Sequence, residues 1–292
     1  MAHFKISGCV VFAAALFMTQ PGWSQTLELT SPLGTKFFSI PDQPGAIATA
    51  QKNLAADPKN VNLILKLAQA QSGAREYREA VETCTKGLKI APQNADLYLE
   101  RGHREVALRE FAKARADLNK AASLDPKNPE VYYHLGLSHY FLGEFSLSAD
   151  AFHHAVDLAP SMDSRINSSN WLYASLRRAK KNDEAAKALA AITPEMKNTE
   201  PHTAYYLHMI RFFQGTMKEA DVVPPQPADA NDVEGQLSFA TVAYGVGNWF
   251  LYNGDTAKAQ DYFRRILTEK VWITWGFVGA ETDLIRSGGA KN

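Results

Sequence analysis

Cysteine, net charge and long apolar runs are all scarce in this chain, and each scarcity closes off a class of protein. Two cysteines in 292 residues, Cys9 and Cys84, cannot support a disulfide-stapled scaffold. Charge is balanced, with 31 Lys and Arg against 31 Asp and Glu, so no basic excess draws in nucleic acid. The longest apolar run, Ile6 to Met18, falls short of the ~20 residues a helix needs to cross a bilayer, so no integral membrane span is expected. Glycine-rich phosphate loops and Gly-x-Ser-x-Gly are absent too, and with them the local signatures of nucleotide and acyl-transfer chemistry.

What the N-terminus does contain is the pattern of an export signal. Lys5 gives the positive start, Ile6 to Met18 the apolar stretch, and Gly22-Trp23-Ser24 a small-x-small cleavage site, which makes 1–24 a signal peptide. Export implies a periplasmic or secreted protein. Cys9 lies near the start of the apolar stretch, where a lipid-attachment cysteine would follow its end, so no lipobox is expected in the leader. Cleavage would leave Cys84 as the one remaining thiol.

Proline sets the register of the rest. Pro58, Pro92, Pro126 and Pro160 recur every 34 residues, and stepping by 34 from other positions lands on similar chemistry. Tyr77, Phe111 and Phe145 align, as do Cys84, Leu118 and Phe152. Small residues recur at Ala68, Gly102 and Gly136, and at Ala80, Ala114 and Ser148, where two helices must approach closely. Apolar residues sit at helical spacing on both sides of a turn within each period, which describes a helix hairpin; the proline, lacking an amide donor, fits the joint between hairpins. Cys84 takes the place of Leu118 and Phe152, so it reads as a buried apolar filler.

On these residues the chain resembles the tetratricopeptide repeat (TPR) family. Three full copies run Val61–Asn94, Ala95–Asn128 and Pro129–Met162, and Ala46–Asp57 matches a second helix alone. The resemblance implies an all-α, right-handed solenoid closed by a C-terminal capping helix. The pairing of an export signal with such an array is distantly similar to envelope adaptor lipoproteins of the NlpI type, minus the lipobox. It implies a non-enzymatic scaffold or adaptor of the bacterial periplasm that holds a partner peptide or helix in a concave groove. No cofactor is called for, and the oligomeric state is open. The alternatives are a cytosolic co-chaperone-like module, or an enzyme whose site the sequence hides. The former needs Lys and Asn one turn apart on the first groove helix, where this chain has Leu65 and Gln69.

Six segments follow from this register. After the leader, 25–43 reads as an extended, loosely ordered lead-in, and 44–162 is the repeat array. Residues 163–220 form divergent hairpins shifted by about three residues, with an insertion expected within Ser161 to Arg165. One of their helices, Pro201 to Gln214, is expected to turn Ala204, Leu207 and Arg211 inward. Pro224-Pro225-Gln226-Pro227 makes 221–236 a loop. The segment 237–292 supplies a last hairpin around Gly254-Asp255 and a closing helix over Val271 to Ile285, whose aromatics Tyr244, Trp249, Tyr252, Trp272, Trp275 and Phe277 fit core packing.

The eight histidines give no metal site from spacing, since His134 with His139, His153 with His154, and His202 with His208 all miss the four-residue step along a helix. Arg101 replaces a leucine of the flanking copies, so its charge either reaches solvent along the aliphatic stem or, the favoured reading, pairs with a carboxylate. The expected groove face is Asn62, Leu65 and Gln69, then Leu99 and His103, then Tyr133, Leu137, Tyr140 and Phe141. It grows more aromatic along the chain. A partner segment anchored on Tyr133, Tyr140 and Phe141 is the expected cover, the other being the chain's own lead-in (Thr26 to Asp42) and C-terminal hairpins folding back.

Overall fold

The computed structural model describes residues 25–42, 45–198 and 204–289. Residues 1–24, expected to be a signal peptide, the expected helix start at Pro201, His202 and residues 290–292 lie outside the described residues. The chain opens with two strands, β1 (Leu27–Thr30) and β2 (Lys36–Phe38), paired antiparallel with Leu29 opposite Phe37. The expected loose lead-in is therefore a hairpin. Thr26-Leu27-Glu28-Leu29-Thr30 alternates apolar and polar residues, and Gly34 takes φ +89° in the connecting turn. Leu29 and Phe37 are buried, Phe37 lying flat on Trp272 at 5.1 Å. Glu28 accepts the Arg78 amide at 3.0 Å.

Helices follow. α1 (Ala46–Ala56) is the half repeat. α2 (Val61–Gly73) with α3 (Tyr77–Ile90), α4 (Ala95–Ala107) with α5 (Phe111–Leu124), and α6 (Pro129–Leu142) with α7 (Phe145–Asp157) are the three full hairpins. Each begins at an asparagine two residues past the repeat proline. Asn60 accepts from the Asn62 and Leu63 amides, Asn94 from Leu97, and Asn128 from Glu130, satisfying donors that the first helical turn leaves free.

The turns inside the hairpins are as regular as the joints between them. Arg75, Arg109 and Gly143 all adopt positive φ. At each, the next residue's amide reaches back five positions to close the helix, as Glu76 does to Gln71, Glu110 to Glu105 and Glu144 to His139. Lys180 and Gly254 repeat the device later. Close helix contact then explains the small residues: a Cβ on Gly136 would sit 2.7 Å from the Phe152 ring. Cys84 is buried in the filler role, and burial pushes its thiol up to about 12. Arg101 finds its carboxylate in Asp117, at 2.5 and 2.7 Å, with Thr85 as a further acceptor.

The fourth hairpin, α8 (Met162–Arg178) with α9 (Asn182–Ala190), absorbs the period slip by lengthening: α8 has 17 residues where α6 has 14. α10 (Ala204–Phe213) buries Met209 and Ile210, while Ala204, Leu207 and Arg211 are only partly covered, so the inward face is rotated from the expected one. Its partner α11 (Glu219–Val222) is a single turn. α12 (Val233–Tyr252) starts earlier than the expected loop end because Asp232 caps it through the Gly235 amide. α13 (Thr256–Ile266) and α14 (Trp275–Arg286) complete the chain, α14 starting four residues later than expected under a Thr274 cap. No helix among the described residues is long and apolar enough to cross a membrane.

Candidate functional site

The first helices α2, α4, α6 and α8 stand side by side along the array, and their shared face is where a groove is expected. Its N-terminal part is open: Asn62 and Gln69 are exposed, Leu65, Leu99 and His103 half-buried. The remainder is closed. Tyr133 is 9% exposed, Leu137 0%, Tyr140 1% and Phe141 3%, so these four are core residues and cannot serve as partner anchors. The sequence reading fails here because the chain itself supplies the cover, the option it ranked second. Trp275 lies against His103 of α4, α14 packs on α6, and α12 meets α8.

Polar contacts fix that closure as much as apolar ones. Arg109, at the α4–α5 turn, pairs with Glu281 of α14 at 2.8 Å and donates to the Trp272 carbonyl at 3.1 Å. Arg178 at the end of α8 holds Asp283 through two 2.9 Å bonds. Asp283 also accepts the Tyr244 hydroxyl, and Asn248 of α12 donates to the Tyr140 hydroxyl at 2.6 Å. Arg286 reaches the Phe141 carbonyl. The side chains of Arg109 and Glu281 are 5% and 2% exposed, so each charge depends on the other for its solvation.

The closure also brings together two histidines that spacing never paired. His103 of α4 stacks on His134 of α6 with ring centroids 3.8 Å apart, and Trp275 lies against both, at 5.4 and 5.8 Å. Burial drives the His134 imidazole down to about 3 and holds His103 well below the usual range, with His134 and Arg104 adding to the effect. Both rings are neutral at physiological pH. Among the described residues no three His, Cys, Asp or Glu side chains are grouped to hold a metal ion.

A cleft lies open beside the filled groove. It measures about 420 Å³ and lies between α8, α10, α12 and the turn leading into α14. Its walls are mainly aromatic and aliphatic, including Trp171, Tyr206, Phe213, Leu237, Tyr244 and Trp275; among the described residues its one charged lining residue, Glu234, is exposed. Asn170 of α8 joins the wall, 7% exposed, its amide nitrogen donating to the Ile166 and Tyr206 carbonyls. Sequence reasoning missed this site, since its residues come from four separated segments with no shared period.

Models of the TPR repeat match residues 102–143, and of the tetratricopeptide repeat residues 129–162. No curated protein matches the chain. Among solved structures, YrrB, described as a TPR protein with an unusual peptide-binding site, is 16% identical with a TM-score of 0.48, over 84% of this chain and 100% of its own. MamA is 26% identical with a TM-score of 0.45, over 49% of this chain and 82% of its own. MamA from Desulfovibrio magneticus RS-1 is 19% identical with a TM-score of 0.45, over 50% of this chain and 81% of its own. The fold is thus an all-α solenoid of tetratricopeptide-repeat hairpins, closed on itself by its C-terminal helices.

Proposed function

We propose that the chain is an exported, non-catalytic scaffold for protein–protein interaction, which receives a segment of a partner on the open N-terminal part of its repeat face. The observation that carries this reading is the contrast along that face. Leu65, between exposed Asn62 and Gln69 on α2, and Leu99 on α4 remain half-buried, while the continuation past His103 is sealed by Trp275. A face with apolar patches flanked by amides suits an extended or helical peptide, which needs both contact area and hydrogen-bond partners for its backbone. The leader at 1–24 supports export to the periplasm, and the single thiol left after cleavage, buried Cys84, is compatible with an oxidising compartment.

Two measurements test the reading. Sequencing the N-terminus of the protein recovered from cells is expected to show a start after Ser24; an intact Met1 or Ala2 start contradicts export. Capture from an envelope extract with residues 25–292 is then compared with a Leu65→Asp, Leu99→Asp variant that keeps its helical circular dichroism. A protein held by the native sequence and released by the variant supports the open face as the site. Equal retention places binding elsewhere, and no retention by either contradicts the scaffold reading.

A further inference from the structure

We propose that the stacked His103 and His134 rings beneath Trp275 form an acid-sensitive latch on the C-terminal closure, which holds α14 on the repeat face while both rings are neutral and releases it when they take up protons. The latch acts on the sealed half of the face, and nothing in the partner-binding reading at Leu65 and Leu99 depends on it.

The pair sits at the joint between the array and the closing segment. His103 comes from α4, His134 from α6, and Trp275, the first residue of α14, lies against both rings. The repeat period shows what covers them. Gln69 stands one period before His103 and Lys66 two periods before His134, and both are exposed on the part of the face left open. Glu100, between Lys66 and His134 in register, is buried in its own ion pair with Arg104. The burial of the two histidines is thus a property of the closed state. Ring centroids 3.8 Å apart leave no room for two charges, and among the described residues no carboxylate lies within hydrogen-bond distance of either ring. Of the charged groups on α4 and α6, Arg104 opposes protonation, while Glu130, its carboxylate 3.9 Å from His134 Nε2 and largely in solvent, favours it weakly. Tyr133 stands edge-on to His134, and burial keeps its phenol protonated. From the closing segment the facing group is the uncharged Trp275 ring; Glu281 and Asp283, farther along α14, are held by Arg109 and Arg178. Opening gives both rings to water, where an imidazole takes a proton near pH 6.5, so protons favour the open form below that pH. Each ring then contributes up to about tenfold per pH unit to the opening equilibrium, and the two together up to about a hundredfold.

Hydrogen exchange of the purified protein, read by mass spectrometry at pH 7.5, 6.5 and 5.5 and corrected for the intrinsic pH dependence of amide exchange, follows opening segment by segment. Protection of 275–286 is expected to fall about tenfold or more between pH 6.5 and 5.5, while α2, on the open part of the face, keeps its own. A His103→Phe, His134→Phe variant, uncharged at every pH, should lose that dependence while 275–286 stays protected. A slope that persists in it belongs to other groups, His202 included, and overturns the assignment. If the double variant does not fold, His103→Gln and His134→Phe taken singly should each remove about half of the slope on a logarithmic scale, and no change in either overturns the latch. Protection of 275–286 that is independent of pH, or that falls in step with α2 as in global unfolding, also overturns it. Those results leave the capture experiment at Leu65 and Leu99 unaffected.

Discussion

Replacing Tyr140 by Ala should unfold much of the molecule instead of weakening a surface contact. Tyr140 is 1% exposed, with Phe141, Phe145 and Trp171 against its ring at 5.2 to 6.0 Å and Asn248 donating to its hydroxyl. Truncating a buried aromatic to Ala costs about 3–5 kcal/mol through lost transfer energy and the cavity left behind. Losing the hydroxyl also strands the Asn248 amide, which adds about 1–3 kcal/mol. The sum is comparable with the ~5–15 kcal/mol that holds a typical domain together. Tyr140→Phe isolates the second part: the ring stays and only the hydrogen bond goes, so about 1–3 kcal/mol is expected. Urea unfolding followed by circular dichroism and tryptophan fluorescence reads both, because Trp171 reports the neighbourhood directly. Separate transitions for the two probes would require analysing the phase that Trp171 follows. A Tyr140→Ala variant within about 1 kcal/mol of the native sequence, a surface-like value, refutes the burial argument.

Three further outcomes follow from the same packing. Gly136→Ala forces a methyl to within 2.7 Å of the fully buried Phe152 ring and should cost about 1–3 kcal/mol in a melt; an unchanged melt would show that α6 and α7 stand further apart. A chain ending at Lys270 loses Glu281 and Asp283 and leaves Arg109 and Arg178 without counter-charges, so it should aggregate or lose cooperative melting, and an equally stable soluble product would count against the closure. The pH dependence has a definite sign. His134 sits at about 3 in the fold against an ordinary 6.5, so the unfolded chain takes up its proton first and stability is lost as pH falls below 6.5. His134→Phe should reduce the acid-side slope by about 1.4 kcal/mol per pH unit in that window. Glu105, raised by burial to about 8 from 4.5, has the opposite effect: its stabilisation is lost as pH rises from 4.5 through 8, and Glu105→Gln should flatten that limb in denaturant titrations at stepped pH.

The repeats were legible because their cause is local. Prolines at the joints, small residues at close helix contacts and apolar residues at helical spacing each act within one 34-residue unit, so the period exposes them. The asparagine caps at Asn60, Asn94 and Asn128 carry the same period and were available to a closer reading. The β-hairpin was visible too, in the alternation through Leu27 and Leu29, but the nearby Pro and Gly drew the reading toward disorder. What the period could not show is what covers the groove. An aromatic stripe along Tyr133, Leu137, Tyr140 and Phe141 has the same pattern whether a partner or the chain itself lies on it. The deciding contacts, such as Arg109 with Glu281 and Asn248 with Tyr140, span more than a hundred residues. The cleft was invisible for the same reason, since Asn170, Tyr206, Leu237 and Trp275 converge only once α12–α14 are in place.

A double-mutant cycle on Arg109 and Glu281 tests the self-closed groove most directly, because these residues, 172 positions apart, can interact only if α14 lies on the repeat array. Arg109→Met and Glu281→Gln should each cost about 3–5 kcal/mol, since each strands a buried charge, and the double variant should cost clearly less than their sum. A coupling energy above about 1.5 kcal/mol is the expected result. Additive costs with no coupling would mean that the C-terminal helices do not occupy the groove and that Tyr133 and Tyr140 face outward after all.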